Sequence, residues 1–530
     1  MVMKAIDRKL VRDLWRLRGQ ILAIALVVAC GIASFVSMLS AYESLQLSQA
    51  TYYDRYQFAQ VFVQLKRSPE SLQPQLAAIP GVAQIQTRVV ADVNLDIPGR
   101  NEPATGRLIS IPERQTPMLN DLYIRQGRYI QPNKRDEVLV NENFAKAHHL
   151  ELGDTIGAVI NGRWQTLHIV GIALSPEYVY AIQGTGDMFP DNKRFGILWM
   201  GREALGTAFN MAGAFNNVTL SLMTNAIEAD VIFHLDRQLK QYGGFGAYAR
   251  KDQLSNRFLS EEITQLQGTA TYVPSIFLGI AAFLLHILLS RLISTQREQI
   301  AILKAFGYSN VAIGWHYLKF LLAIVSIGTL LGTGLGLWYG KTIVQNYARF
   351  FSFPVLRYEA SLWIVGGAIA ISSGASILGA LVAVRTAVSL PPAEAMRPEP
   401  PARFRATLVE RLGFQRVLTP VGRIILRNLE RKPIQAIMTT FGIALAIGML
   451  VVGRYVTDAM QYMVDVQYRQ VQRDDVTIVF NEPRPARVQY EVAHLPGVLR
   501  SELFRAVPVT LRFEHYNPHS ALRKSSIEKA

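Results

Sequence analysis

The stretch that decides the fold reads Thr295-Gln-Arg-Glu-Gln-Ile-Ala-Ile-Leu-Lys-Ala-Phe-Gly-Tyr-Ser309. It is charged, it lies between two apolar runs, and its apolar residues recur at roughly helical spacing. Gly307 supplies a stop because glycine readily takes the left-handed conformation that ends a helix. A short amphipathic helix tied at both ends to membrane spans must lie at the membrane surface. A solvated loop helix without any partner is the alternative interpretation of these residues alone.

The composition is that of a membrane protein. The chain has 530 residues, of which 50% are hydrophobic and 18% charged, and its mean hydropathy is +0.17, which is high for a soluble protein. The net charge of +15 would suit nucleic acid, but the basic residues concentrate beside apolar runs, as the positive-inside rule predicts. We therefore expect contact with membrane lipid and none with nucleic acid. Cys30 is the only cysteine, which excludes an intrachain disulfide and a cysteine-based metal site.

Five segments are predicted to cross the membrane. About 20 apolar residues at 1.5 Å each cross the roughly 30 Å hydrocarbon layer. The first segment carries no charge and follows a basic, cytoplasmic N-terminus of residues 1–20; a cleavable signal peptide is the alternative, although its apolar region is only about 7–15 residues long. The predicted spans are residues 21–42, 273–290, 320–340, 361–384 and 434–453. The cytoplasmic segments between them are 291–312, which contains the amphipathic helix, and the basic linker 385–433.

Residues 45–265 are polar and well mixed, and we expect them to form an extracytoplasmic α+β domain. Period-two alternation predicts strands, and glycine-containing pairs predict turns between them. The strand-like runs are 60–65, 165–171 and 217–222, and the turn signals are Pro80-Gly81, Pro98-Gly99 and Asn161-Gly162.

The segment 136–155 predicts a strand, a short helix and a turn at Gly153-Asp154 into another strand. His148 and His149 are expected on that helix. Two adjacent helical residues point about 100° apart, which favours a surface pair over a metal site.

Two features inside the predicted spans indicate helix packing. His286 is ionisable and therefore a functional candidate, but a neutral histidine near a helix end commonly bonds a neighbouring helix, which is the interpretation we favour. In the third span, four glycines recur every fourth residue and form a ridge without side chains. Such a ridge predicts close approach of another helix, within or between subunits. The four are Gly328, Gly332, Gly336 and Gly340.

The chain lacks a recognisable nucleotide-binding loop. Gly336-Leu-Trp-Tyr-Gly-Lys-Thr342 superficially resembles one, but the motif needs four residues between its glycines and position 335 is leucine. ATP hydrolysis, if it drives this protein, must come from a separate chain. Linear spacing also reveals no catalytic triad, paired carboxylates or metal-ligand set. We therefore expect a non-catalytic protein with no metal and no directly bound cofactor.

The chain begins to repeat itself after residue 425. Val11-Arg-Asp-Leu14 matches Leu426-Arg-Asn-Leu429, Val61-Phe-Val63 matches Val476-Thr-Ile478, and Ile79-Pro-Gly-Val82 matches Leu495-Pro-Gly-Val498. Residues 434–453 thus open a second copy, and residues 454–530 are expected to form part of a second extracytoplasmic domain. Half a domain would leave unpaired strand edges, so we expect a truncated form of a longer protein; a natural five-span protein is the alternative.

Three stretches resemble one family. The segment 295–309 resembles the R-E-I-(G/A)-I-L-(K/R)-A-(L/F)-G signature of the FtsX-like permeases, which include the MacB-type transporters. Pro392-Ala-Glu-Ala-Met-Arg397 resembles their P-(A/V)-E-A-(L/M)-R sequence, and 136–155 is similar to part of the MacB-type periplasmic domain. The expected fold is an α-helical membrane protein with an inserted α+β extracytoplasmic domain. It comprises a four-span permease unit plus the start of a second copy, as expected for a truncated version of a longer, duplicated permease with roughly eight spans.

The resemblance implies the permease subunit of an ABC transporter in the bacterial inner membrane, with a cytoplasmic N-terminus. A separate ATPase subunit would bind ATP and act through the coupling helix 291–312 to drive export or extraction of a substrate at the outer face. Ile300 and Leu303 would fill the apolar floor of a groove on the ATPase. A permease dimer or pseudo-dimer and a periplasmic adaptor are further expected partners. The expected ATPase contacts are Arg297, Glu298, Ile300, Leu303, Lys304 and Gly307, with Glu394 and Arg397 as secondary contacts.

Two other functions are compatible with these residues. A mechanotransmitter would use ATPase strokes to switch an extracytoplasmic enzyme such as a cell-wall hydrolase, as the family namesake is understood to do. A membrane-anchored sensor or binding module would need no ATPase at all. Nothing in residues 45–265 selects a substrate.

Overall fold

The structure is a computed structural model that describes residues 5–99, 103–183, 189–389, 433–471, 473–478 and 484–504, with a few single positions between them. The chain divides into two compact units. The helical unit comprises residues 1–47, 262–347 and 356–477, and the α+β unit comprises residues 48–261, 348–355 and 478–530.

The secondary-structure elements follow one another in this order. The helices are α1 (Ala5–Arg16), α2 (Arg18–Arg55), α3 (Gln73–Ala77), α4 (Glu142–Ala147), α5 (Arg202–Ala208), α6 (Glu228–Leu239), α7 (Leu254–Thr295), α8 (Arg297–Ala305), α9 (Asn310–Phe350), α10 (Leu362–Ser389), α11 (Pro433–Asp465) and α12 (Val488–Ala493). The strands are β1 (Val61–Pro69), β2 (Val82–Arg88), β3 (Val90–Asp96), β4 (Ala104–Ile111), β5 (Tyr123–Gly127), β6 (Glu137–Asn141), β7 (Thr155–Ile160), β8 (Arg163–Leu174), β9 (Phe195–Gly201), β10 (Ala214–Leu222) and β11 (Gly244–Ala249).

Five helical stretches of the described residues are long and apolar enough to cross a bilayer. They lie in α2, α7, α9, α10 and residues 439–471, and each overlaps one of the predicted spans. Each of these helices is longer than the span predicted within it; α2, for example, continues to Arg55 and α9 to Phe350. Residues 341–350, which follow the third predicted span, thus continue α9. No glycine or proline occurs between Gly31 and Pro69 or between Gly340 and Pro354 to end either helix sooner.

The glycine ridge of α9 packs against α2 in the helical unit. A Cβ atom added at Gly328 would lie 2.8 Å from the Ala25 carbonyl oxygen, and one at Gly332 would lie 2.7 Å from that of Ala29. The backbones of the two helices thus touch, and only glycine fits at these positions. The ridge makes an intrachain contact.

Helices α7 and α10 also approach closely. A Cβ atom at Gly379 would lie 2.6 Å from the Ala282 carbonyl oxygen, and a ring nitrogen of His286 lies 3.1 Å from the Gly379 carbonyl oxygen. His286 thus bonds a neighbouring helix, in agreement with the interpretation favoured from the sequence.

The α+β unit contains a four-stranded antiparallel sheet in the order β11-β1-β10-β2. Helix α3 connects β1 to β2, and α6 connects β10 to β11, so the sheet has the split β-α-β arrangement of ferredoxin-like folds. Both helices pack on one face of the sheet over a core that includes Val63, Leu76, Val218 and Leu235. The chain between β2 and β10 forms a second body inserted into this fold.

That second body is a closed barrel. Its sheet runs β5-β8-β6-β9-β4-β3-β7, and β7 pairs again with β8. Strands β8, β6, β9, β4, β3 and β7 therefore form a ring, and β5 pairs with residues 171–174 of β8, beyond the residues 163–168 that pair with β7. Closure removes exposed strand edges, and the interior is filled by side chains such as Leu95, Leu108, Val138 and Leu198.

The predicted strands at 60–65, 165–171 and 217–222 are confirmed as parts of β1, β8 and β10. The predicted turns are confirmed by positive φ angles at Gly81, Gly99 and Gly162. The strand–helix–turn–strand order of 136–155 is also correct, with Gly153 at φ 93°.

The position predicted for the two histidines was wrong. Helix α4 ends at Ala147, so His148 caps it and His149 lies beyond it with φ 55°. A ring nitrogen of His148 lies 3.0 Å from the Lys193 carbonyl oxygen. Within the described part of the chain, no group of three or more histidine, cysteine, aspartate or glutamate side chains could hold a metal ion.

A buried ion pair joins the four-stranded sheet to the turn after β8. The Arg88 guanidinium donates hydrogen bonds of 2.6 and 2.9 Å to the Glu177 carboxylate, and it also donates to Asn217. The Asn120 amide donates 2.9 Å to the same carboxylate. Burial lowers the pKa of Arg88, but the charge and hydrogen bonds of Glu177 outweigh it, so the pKa is raised. The Arg88 guanidinium therefore keeps its charge although it is buried.

The repeat recurs only in part. Helix α12 precedes Gly497, whose φ of 89° matches the 93° of Gly81 after α3. Residues 476–478 are not a strand, however, although the matching residues 61–63 are. In the first copy that strand is held by β10 and β11, and the described residues of the second copy contain no such neighbours.

Candidate functional site

Helix α8, hereafter the connector, is the short helix between α7 and α9. It begins after Gln296 and ends in a Schellman motif, in which the Gly307 N–H donates to the Lys304 carbonyl (3.0 Å) and the Tyr308 N–H donates to the Leu303 carbonyl (3.1 Å). Gly307 has φ 86°, which a residue with a side chain rarely adopts. The prediction that Gly307 ends this helix is confirmed.

One face of the connector is buried in the helical unit. Ile300 is 1% exposed and packs in the same apolar core as Ile313, Tyr317 and Phe320. Ile300 was expected to fill a groove on a partner, and in this structure it cannot, because it is enclosed by its own chain. Leu303 is half-buried.

Two of the expected polar contacts also lie on the inner side. The Lys304 ammonium donates a hydrogen bond of 2.7 Å to the Val388 carbonyl, and Arg297 is half-buried. Val388 is in the last turn of α10, where carbonyl groups have no partner within the helix, and a cation there also favours the helix dipole. Arg297, Ile300 and Lys304 recur at helical spacing and therefore lie on one face of the connector. This face combines basic and apolar residues, and it is the face that is anchored to the rest of the helical unit.

The opposite face of the connector is exposed. Glu298 is exposed, Ile302 is 42% exposed and Phe306 is 79% exposed. These three residues are four apart and therefore lie on one side of the helix. We call them the connector surface. Glu298 is predicted as a contact from the sequence, whereas Ile302 and Phe306 are not, although they follow Glu298 at intervals of four residues.

A polar network fixes the start of the connector. The Lys9 ammonium lies 2.6 Å from an Asp13 carboxylate oxygen and donates 2.7 Å to the Gln296 side-chain oxygen. The Gln296 amide donates 3.1 Å to Asp13, and the Tyr317 hydroxyl donates 3.2 Å to Gln296. Residues of α1, the connector and α9 thus share one buried network. It was not predicted, because its members are far apart in the chain.

A second ion pair lies beside this network, where the Lys319 ammonium is 2.9 Å from an Asp7 carboxylate oxygen. Glu394 and Arg397, the expected secondary contacts, lie outside the described residues. The arrangement suits mechanical coupling, since the connector offers an exposed face while its other face is fixed to three helices.

The chain thus combines membrane-length helices, a short connector helix between two of them and an inserted α+β unit. Residues 272–392 match the FtsX-like permease C-terminal family, and residues 22–231 match the MacB-like periplasmic core domain. The chain thus carries an FtsX-like permease region and a MacB-like periplasmic core domain, the combination of an ABC transporter permease-type family.

Three solved structures are weakly similar to parts of the chain. The extracellular domain of the noncanonic ABC-type transporter YknZ from Gram-positive bacteria is 15% identical over 35% of this chain and 97% of that chain, with a TM-score of 0.24. The periplasmic region of MacB from Actinobacillus actinomycetemcomitans is 12% identical over 39% and 92%, with a TM-score of 0.26. A domain of a putative permease protein from Porphyromonas gingivalis is 11% identical over 36% and 88%, with a TM-score of 0.23. The curated proteins include no match.

Proposed function

We propose that this chain is the transmembrane permease subunit of an ABC transporter in the bacterial inner membrane. Its N-terminus and connector would face the cytoplasm, and the α+β unit would lie on the outer side. A separate ATPase subunit would bind and hydrolyse ATP, and the permease, itself non-catalytic, would use the resulting motion to export or extract a substrate at the outer face. The observation that supports this proposal most is the connector surface, an exposed apolar and acidic patch on a helix whose other face is anchored.

The anchoring explains how force would pass from the connector into the membrane helices. Ile300 packs in the core, Lys304 bonds the end of α10, and Gln296 bonds α1 and α9. A displacement of the connector therefore cannot be absorbed locally, since well-packed interiors transmit strain. Through the glycine ridge, α9 would carry the displacement to α2.

The chemistry of the connector surface suits a protein groove. Phe306 and Ile302 present apolar area next to the carboxylate of Glu298. Exposed aromatic residues flanked by charge are typical of the centre of protein interfaces. Glu298 would pair with a basic residue at the edge of the ATPase groove. Phe306 and Ile302 would fill the apolar floor of that groove, which was the role expected of Ile300.

The test is co-purification of the ATPase with variants of the full chain. Phe306→Ala and Glu298→Lys should each reduce the retained ATPase, for Phe306→Ala by about tenfold or more, as expected for a central interface residue worth ~2 kcal/mol. The matched controls are Phe350→Ala at the far end of α9 and Glu203→Lys on α5, both exposed. Retention equal to that of the unmodified chain in both connector variants would refute the proposal.

A further inference from the structure

The outer face of α1 is basic and carries one large aromatic residue. Arg8, Arg12 and Arg16 are exposed, and between them Val11 is 55% and Trp15 72% exposed. These five residues, which we call the α1 outer face, lie at helical spacing on one side of the helix.

The opposite face of α1 is committed to the protein. Lys9 and Asp13 belong to the network around Gln296, while Leu10, Leu14 and Leu17 pack against the core of the helical unit. The orientation of α1 is therefore fixed. Because its inner face is held by the network and the core, the arginines of its outer face point away from the protein.

The outer face has no acidic residue to offset its charge. The acidic residues of α1 are Asp7 and Asp13. Both form ion pairs on the inner side, Asp7 with Lys319 and Asp13 with Lys9. The α1 outer face therefore presents three guanidinium groups without a compensating carboxylate from its own helix.

The position of α1 defines what this face meets. Helix α2 begins at Arg18, directly after α1 ends at Arg16, and it is long and apolar enough to cross a bilayer. The α1 outer face must then lie where α2 enters the membrane. The Arg18 guanidinium stands 5.2 Å from the centre of the Trp15 ring, and tryptophan beside arginine is typical of the headgroup region.

We propose that the α1 outer face binds the headgroups of anionic phospholipids. Planar guanidinium groups recognise phosphate oxygens in a bidentate manner, while Trp15 and Val11 suit the boundary between headgroups and acyl chains. A purely polar acidic partner would not use that apolar area. This binding requires no ATPase and is independent of the transport function proposed above.

The experiment measures contact between Trp15 and individual lipids in nanodiscs that contain the full chain. The nanodiscs share one fixed mixture of phosphatidylglycerol and phosphatidylcholine, with bromine atoms near the glycerol backbone of one lipid or of the other. The fluorescence difference between the unmodified chain and Trp15→Phe isolates the Trp15 signal. We expect each brominated phosphatidylglycerol to quench Trp15 several-fold more than each brominated phosphatidylcholine. Equal quenching per brominated lipid would overturn the proposal.

A charge variant tests the role of the arginines. A basic residue near an anionic surface contributes ~1 kcal/mol, or roughly fivefold in the binding constant. The triple variant Arg8→Gln/Arg12→Gln/Arg16→Gln should therefore lose the preference for phosphatidylglycerol. The control Lys134→Gln/Arg135→Gln/Arg163→Gln removes the same charge from exposed positions of the α+β unit and should keep it. If both triple variants lost the preference for phosphatidylglycerol equally, the preference would depend only on the net charge of the protein. That result would contradict a lipid site on α1.

Discussion

Lys9 donates a hydrogen bond of 2.7 Å to Gln296, the residue that precedes the first turn of the connector. The first helix of the chain therefore holds the start of a helix that lies almost 300 residues later. Asp13 and Tyr317 complete the network from α1 and α9. Gln296 donates a hydrogen bond to Asp13 and accepts hydrogen bonds from Lys9 and Tyr317. An apolar residue at this position could make none of these three bonds.

The variant Gln296→Leu should destabilise the protein. It would leave Lys9, Asp13 and Tyr317 each without one partner in a buried site, at a cost of about 1–3 kcal/mol. A lower unfolding temperature of the purified full chain in detergent would show this. The control Gln299→Leu changes an exposed residue in the first turn of the connector, and an equal decrease in that variant would show that the network has no special role.

Alanine at two glycines of α9 should have opposite effects. The Cβ atom of Gly332→Ala would lie 2.7 Å from the Ala29 carbonyl oxygen, which forces α2 and α9 apart at a cost of about 1–3 kcal/mol. Gly334→Ala, with no atom within 4 Å of its Cβ, should be neutral or slightly stabilising because alanine favours helix. Unfolding temperatures of the two variants measure the contrast, and similar values would argue against the α2–α9 contact.

The variant Arg88→Met should strongly destabilise the α+β unit. It leaves the Glu177 carboxylate buried without its cation, and breaking a buried pair costs about 3–5 kcal/mol. The double variant Arg88→Met/Glu177→Leu should recover part of this loss, since it removes both charges. Lys146→Met, which removes the partner of Glu142 from an ion pair whose lysine is 70% exposed, should change stability by at most about 1 kcal/mol. Chemical unfolding of the three variants, followed by circular dichroism, would measure their free energies of unfolding and so test this order.

Stability should decrease in acid through Glu137. The hydrogen bond from Arg128 lowers the pKa of this carboxyl below its ordinary value of 4.5. Because the unfolded chain then binds the proton more readily than the folded chain, this contribution is complete above pH 4.5 and is lost as the pH falls through the lowered pKa. The gap in unfolding temperature between the unmodified chain and Glu137→Gln should therefore narrow as the pH is lowered past 4.5. Arg128→Gln should show the same narrowing, and a gap that stays constant with pH would exclude this pair as the cause.

The architecture could be predicted from the sequence where one short pattern decides it. Uncharged apolar runs mark the membrane-length helices, the segment 136–155 predicts its strands and helix, and Gly307 marks the end of the connector. Each of these signals lies within a few residues of the structure that it specifies.

The site could be predicted only in part, because the orientation of the connector depends on distant residues. Lys304 reads as a surface charge until the end of α10 is brought next to it, and Ile300 reads as a contact residue until the core around Tyr317 encloses it. The ring of barrel strands and the Arg88–Glu177 pair are likewise set by pairings across long stretches of chain. Residues 476–478 match the strand residues 61–63 in sequence but are not a strand, because a strand needs neighbours that local sequence does not reveal.

The central claim is that the connector surface receives force from an ATPase on the cytoplasmic side. It is tested most directly by a photo-crosslinking amino acid placed at Ile302 in intact cells. We predict a covalent adduct between this permease and its ATPase subunit, and none from the same probe at Leu330, which is exposed in the middle of α9. Absence of the ATPase adduct from Ile302, with the permease present in the membrane at normal level, would contradict the account.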